Sequence, residues 1–255
     1  MKIKVELTCS NSKIILPVGF SSYIQALIYQ SLPRKTACWF HENGFKYENR
    51  VFKLFCFSSI LEKARYDKRL KSFIFPQKVS FYIASPIDKF LEQLIQELSN
   101  KNRLNLGKNP LFVTSLESLE NFSIKTNNIK ICALTPIEVH STFTRQNKKI
   151  THYYSPFEPE FGQLINNNIK KKWQALYKIK CPYNLNIKPL FRGNKNEQIL
   201  YFGTGNNKTL IKGWKGTYDL AGNKNLLQFA LAAGIGSKSS QGCGMIDLLE
   251  EKACA

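Results

Sequence analysis

Between residues 79 and 98 the hydrophobic period of this chain changes from two to about 3.6. Val79, Phe81 and Ile83 alternate with Ser80 and Tyr82, and then Ile87, Phe90, Leu91, Leu94, Ile95 and Leu98 recur at helical spacing. Ser85 predicts an N-cap for this helix and Pro86 its first turn. A half-apolar strand leading into a helix with one apolar face calls for a sheet covered by helices.

The same pairing opens the chain. Ile3, Val5 and Leu7 share a strand face, and Ile24, Leu27, Ile28 and Leu32 form one stripe of a helix over residues 22–32, with Tyr29 well off it. Strands are predicted at 51–57, 79–84 and 111–116, with a basic connection at 63–71. The order strand, helix, strand, strand, helix, strand is ferredoxin-like.

The second half reads the same way. A strand at 129–134 precedes a helix at 159–177, where Phe161, Leu164, Ile165, Ile169, Trp173 and Leu176 are roughly in phase. Strands follow at 184–191, 198–202 and 210–214, then a short apolar helix at 225–233 and a closing strand at 244–249. The expected architecture is α+β: two tandem ferredoxin-like (RRM-like) domains, residues 1–123 and 124–255, with a linker near 123–128.

The charge narrows the function. Lys and Arg number 37 against 18 Asp and Glu, a net +19, with +8 in residues 1–123 and +11 in the remainder. A folded body this basic repels itself, which points to a polyanionic partner, nucleic acid first. No run approaches the roughly 20 apolar residues of a spanning helix, and residues 1–7 alternate like a strand instead of forming a signal block. A cytoplasmic protein with no membrane partner is expected. Seven cysteines, an odd number with no Cys-x-x-Cys pair, predict neither structural zinc nor a disulfide framework, and no cofactor is implied.

One loop is chemically distinctive. Gly234-Ile-Gly-Ser-Lys-Ser-Ser-Gln-Gly-Cys-Gly244 lies between the last helix and the last strand. Gly234, Gly236, Gly242 and Gly244 can adopt positive φ, while Ser237, Lys238, Ser239, Ser240 and Gln241 offer donors to phosphate oxygens. The loop follows a helix and leads into a strand, the reverse of a nucleotide-binding P-loop. A turn that needs glycine for geometry alone is the competing reading.

With its Gly-x-Gly-x-Lys-x-Ser-x-Gly-x-Gly pattern, this loop resembles that of the CRISPR-associated repeat-RNA endoribonucleases, the sixth class of CRISPR-associated proteins. The resemblance extends to residues 23–29, to Phe40-His-Glu-Asn-Gly44, to Lys53-Leu-Phe-Cys-Phe-Ser58 and to Leu134-Thr-Pro-Ile137. It implies a tandem ferredoxin-like fold and a catalytic tyrosine, histidine and lysine, which fall by motif on Tyr29, His41 and Lys53. It also implies metal-independent cleavage of CRISPR repeat RNA within precursor transcripts, by attack of the 2′-hydroxyl, leaving a 2′,3′-cyclic phosphate. The processed RNA would pass to an interference ribonucleoprotein complex.

The side chains suit those tasks. Histidine exchanges protons near neutrality and can act as general acid or base, lysine can neutralise a phosphorane, and tyrosine can orient the 2′-hydroxyl. The stretch between His41 and Lys53 is longer than the resemblance leads one to expect, and it contains Lys46 and Arg50, either of which could be the cation. His140 and His152, in a polar segment read as a loop over 141–154, are expected to contact RNA and not to catalyse. Clusters 63–71 and 170–172 read equally as RNA contacts or solvated faces. The alternative function is an RNA-binding protein or ribonucleoprotein subunit of the same fold that does not cut.

Overall fold

The computed structural model describes residues 1–119, 123–145, 148–203 and 208–249. The first half contains β1 (Lys2–Pro17), α1 (Ser21–Gln30), α2 (Arg34–Glu42), β2 (Phe45–Tyr47), β3 (Arg50–Phe52), β4 (Cys56–Phe57), β5 (Arg65–Asp67), β6 (Ser72–Ala84), α3 (Asp88–Asn100), β7 (Leu104–Leu106) and β8 (Asn109–Leu119). Its main sheet has the order β4-β6-β1-β8-β7, with β5 also paired to β6. Central β1 is antiparallel to both neighbours, with Val5 opposite Phe81 and Leu116. Ile3, Val5 and Leu7 are fully buried in one core with Ile24, Leu27 and Ile28 of α1 and Phe90, Leu91, Leu94 and Leu98 of α3. The alternation and the two helical stripes thus bury one another, each such side chain contributing about 1.5–3 kcal/mol.

The second half contains β9 (Asn128–Ile137), β10 (His140–Arg145), β11 (Lys148–Tyr153), α4 (Pro159–Tyr177), β12 (Leu185–Pro189), β13 (Glu197–Phe202), β14 (Thr209–Gly222), α5 (Lys224–Ala233) and β15 (Ile246–Leu248). Its sheet runs β12-β14-β9-β15, with β13 on β14. In both halves the principal strands lie in the spatial order second, third, first, fourth, which together with their intervening helices makes two ferredoxin-like folds. Among the described residues no helix is long and apolar enough to cross a membrane.

Several elements differ from the sequence expectation, each for a local reason. Residues 51–57 do not form one strand. The chain breaks at Leu54, which adopts φ +52°, so that Leu54 enters the second core while Phe55 and Phe57 enter the first. A left-handed leucine costs about 1–2 kcal/mol, which its burial offsets. Ser85 is not the N-cap of α3, which begins at Asp88. Its hydroxyl donates to the Leu54 carbonyl at 2.8 Å and accepts from the Ile87 N–H at 3.1 Å, tying the break to the helix entry.

The segment 141–154 is largely a hairpin and not a loop: His140 pairs with Tyr153 and Phe143 with Ile150. Its exposure hid the strand signal, because both faces carry polar residues. Strand β14 extends to Gly222, well past the expected residue 214, with a register shift between Trp214 and Gly216 that interrupts its apolar pattern. Helix α2 and strand β2 have no counterpart in the sequence expectation, and β3 takes only Val51 and Phe52 from the strand expected at 51–57.

Candidate functional site

Tyr29, His41 and Lys53 come from three separate elements of the first fold and converge. Tyr29, on the last turn of α1, is half-buried, with its ring 5.8 Å from Phe55 and 6.0 Å from the His41 imidazole, edge-on to both. Burial pushes its phenol up to about 12, further from neutrality, where the hydroxyl is protonated in any case and can donate. His41 is exposed in the last turn of α2. Lys53 follows β3 and donates from Nζ to the His41 carbonyl at 2.6 Å. Partial burial lowers its ammonium from the usual lysine value.

Gly44 sets the end of α2, and with it the place of His41. The N–H groups of Asn43 and Gly44 both donate to the Trp39 carbonyl at 2.9 Å, closing the helix with Gly44 at φ +53°. A Cβ there would lie 2.7 Å from the Phe52 carbonyl oxygen and 2.8 Å from a Val51 methyl. Gly44→Val is therefore expected to destabilise the protein by about 1–3 kcal/mol, with a lowered urea midpoint as the measurement. Of the other cations in this stretch, Lys46 is exposed on β2, whereas Arg50 shares a cleft with Lys53.

The glycine loop is packed into the body of the protein, at the joint between the two folds. All four of its glycines have positive φ. A Cβ on Gly236 would lie 2.4 Å from the Glu138 carbonyl oxygen, and one on Gly242 2.9 Å from the Phe57 ring. One on Gly244 would lie 1.7 Å from the Ile235 carbonyl oxygen. Gly234 packs against Cys56, and Gln25 of α1 donates to the Ser240 carbonyl at 2.6 Å. The glycines thus serve the protein's own packing. Ser239, expected among the ligand-facing donors, is 5% exposed and turned inward, whereas Ser237, Lys238, Ser240 and Gln241 line the cleft.

Beneath the loop lies Lys172, which the sequence placed in a cluster that could be a solvated face. It is buried, and its ammonium donates to the Gly234 carbonyl at 2.8 Å, the Ser239 hydroxyl at 2.7 Å and the Ala233 carbonyl at 3.5 Å. Burial lowers it to about 8. A signal was available: Lys172 stands three residues after Ile169 and four before Leu176, inside the apolar stripe. Its neighbours differ, since Lys170 donates to Asn184 and Lys171 lies over the Tyr47 ring. The cluster at 63–71 is mostly exposed, around β5.

His140 forms a contact through Nδ1 with the fully buried Glu138 carboxylate. Its ring lines the cleft with Arg50, Lys53, Asn168 and the loop. His152 instead faces Glu158, at 2.9 Å.

Fold and cleft together define a protein of the tandem ferredoxin-like class with a cationic, glycine-looped cleft at the joint of its halves. Two family models match it: CRISPR-associated protein Cas6, N-terminal, over residues 15–117, and CRISPR associated protein Cas6, C-terminal, over residues 116–248. The chain belongs to the Cas6 family. The CRISPR-associated endoribonuclease Cas6 1 of Methanocaldococcus jannaschii is 26% identical over 257 residues, covering 99% of this chain and 94% of the relative. A solved structure of a Cas6-related gene product from Pyrococcus furiosus superposes with a TM-score of 0.82 at 17% identity, covering 99% of each chain. A second, described as an RAMP protein binding different RNA substrates, does so with 0.79 at 18% identity, over 98% of this chain and all of the other.

Proposed function

We propose that this protein is an endoribonuclease that cuts CRISPR repeat RNA within precursor transcripts, without a metal ion, and hands the product to an interference ribonucleoprotein complex. The observation that carries the reading is the position of Lys53: its ammonium is bonded to the His41 carbonyl, and its side chain lines the same cleft as Lys238. A phosphate held by the loop side of that cleft meets Lys53, the member of the Tyr29–His41–Lys53 group that lines it. Membership in a family whose curated relatives are named endoribonucleases supports the same assignment.

In the proposed reaction the 2′-oxygen forms a bond to phosphorus and the bond from phosphorus to the 5′-oxygen breaks. One proton leaves the 2′-hydroxyl and one must reach the 5′-oxygen. His41 carries one of these transfers and solvent water the other, Lys53 neutralises the phosphorane, and Tyr29, a phenol protonated at neutral pH and raised further by burial, donates a hydrogen bond at the reacting oxygens. The products are a 2′,3′-cyclic phosphate and a 5′-hydroxyl.

The test uses purified protein, repeat RNA and EDTA, beside the same RNA with one 2′-deoxy substitution at the mapped cut. A discrete cut in the first and none in the second is the expected result. Tight binding without a cut in either would reassign the protein as a non-cleaving binder.

A further inference from the structure

An open groove of about 500 Å³ separates α2 from the start of α3. Its apolar lining is aromatic, with Trp39, Phe40, Phe45 and Phe90, and two exposed lysines, Lys35 and Lys89, complete it without a carboxylate among the described residues. Trp39 is 42% exposed, whereas Trp173 and Trp214 are 9% and 1% exposed. The Phe40 and Phe45 rings meet its indole edge-on at 5.1 and 5.2 Å, and among the described residues no ring is stacked parallel to it.

A flat, exposed indole beside two ammonium groups combines the two parts of a single-strand binding site, a stacking platform for a base and cations for the phosphates. An apolar side chain from a protein partner would fill the groove but leave both lysines without a counter-charge. A nucleotide supplies base and charge together.

The position of the groove fits a strand that passes the candidate site. Trp39 and His41 are two residues apart on α2, hence about 200° apart around its axis. The groove and the His41 imidazole therefore occupy opposite flanks of the end of one helix, with the Gly44 turn between them. A strand cut beside His41 reaches the groove by crossing that turn, so the groove takes a neighbouring nucleotide and not the one being cut.

We propose that this groove binds an unpaired nucleotide flanking the cut, with its base stacked on Trp39 and its phosphates against Lys35 and Lys89. The inference rests on the reading of the protein as an RNA-cleaving enzyme.

The test uses repeat RNA made uncleavable by a 2′-deoxy substitution at the cut, and copies with one abasic ribonucleoside at each flanking position. Tryptophan emission and Kd would be read for the unsubstituted protein, Trp39→Leu and Trp39→Phe. Thermal unfolding reports whether each variant folds, and the Trp39 carbonyl that accepts from Asn43 and Gly44 is retained in both. Intact RNA should quench the emission of the unsubstituted protein and not that of the variants, whose remaining tryptophans are buried. One abasic position should abolish the quenching and weaken binding about tenfold. Trp39→Leu should bind intact RNA as weakly as that and ignore the abasic site, while Trp39→Phe keeps most of the affinity. Normal binding of RNA with unchanged emission and no loss of affinity in Trp39→Leu would overturn the proposal and leave the groove to a protein partner. Quenching that no abasic site removes would overturn it as well. An unsubstituted protein that binds no repeat RNA would remove the functional reading itself, a failure distinct from tight binding that does not involve Trp39.

Discussion

His41→Ala is expected to lower the rate of RNA cleavage by about 10²–10⁴-fold while leaving the Kd for repeat RNA within a few-fold. The imidazole is exposed at the end of α2 and lies edge-on to Tyr29 at 6.0 Å, so its loss removes the proposed proton carrier without opening the core. The backbone carbonyl that receives Lys53 remains in the variant, which keeps the lysine in place. Lys238→Ala should do the opposite: weaker binding, with the slope of log Kd against log salt reduced by about one, and a cleavage rate at saturating RNA nearer to that of the unsubstituted protein. Single-turnover kinetics and binding at several salt concentrations separate the two. Equal loss of affinity in both variants would contradict this division of labour.

Lys172→Met tests whether the loop's position depends on a buried cation. Two effects oppose each other. Keeping an ammonium where burial lowers it to about 8 costs on the order of 3 kcal/mol, which methionine would recover. Against that, the Ala233 and Gly234 carbonyls and the Ser239 hydroxyl lose their common donor, at about 1–3 kcal/mol for each oxygen left unsatisfied. The second effect is the larger, and a net loss of about 2 kcal/mol or more is expected, measurable by urea titration. RNA binding should fall with it, because Lys238 is carried on the loop that Lys172 holds.

The pH dependence gives this prediction a signature that a merely smaller side chain would lack. In the unfolded chain a lysine keeps its proton to about pH 10.5, whereas folded Lys172 releases it from about pH 8. Between those values the unfolded state holds more protons, so stability from this group rises with pH. The stability difference between the unsubstituted protein and the methionine variant should therefore grow from about pH 8 to 10.5 and stay flat below. Cys56, which burial pushes up to about 12 against the pull of the Lys172 ammonium, works the other way, and because the two groups are coupled its contribution differs between the two proteins; making the comparison in a Cys56→Ala background removes it.

Much of this protein is legible one element at a time. The helix expected at 159–177 has those bounds, because Pro159 can open a helix and every third or fourth residue after it is apolar. The glycines of the loop permit the four positive φ values it adopts. The convergence of Tyr29, His41 and Lys53 is of another kind. It depends on α2, which the sequence did not announce, and on the Gly44 turn that points its end toward Lys53. Lys172 was hidden for a related reason, since its charge spoke for solvent while its position in the stripe spoke for the core.

What the sequence determined by itself is whatever depends on neighbours a few residues apart: the two apolar periods, the doubled ferredoxin-like order, the excess of positive charge and the conformational freedom of the loop. The tertiary structure alone decided which cations reach the cleft and which stay buried, that the break at Leu54 sends neighbouring residues into different cores, and that Asn168 and His140 share a wall with Lys53. Those outcomes rest on contacts between residues scores of positions apart. Local spacing carries no information about them, because burial and desolvation are properties of the assembled core.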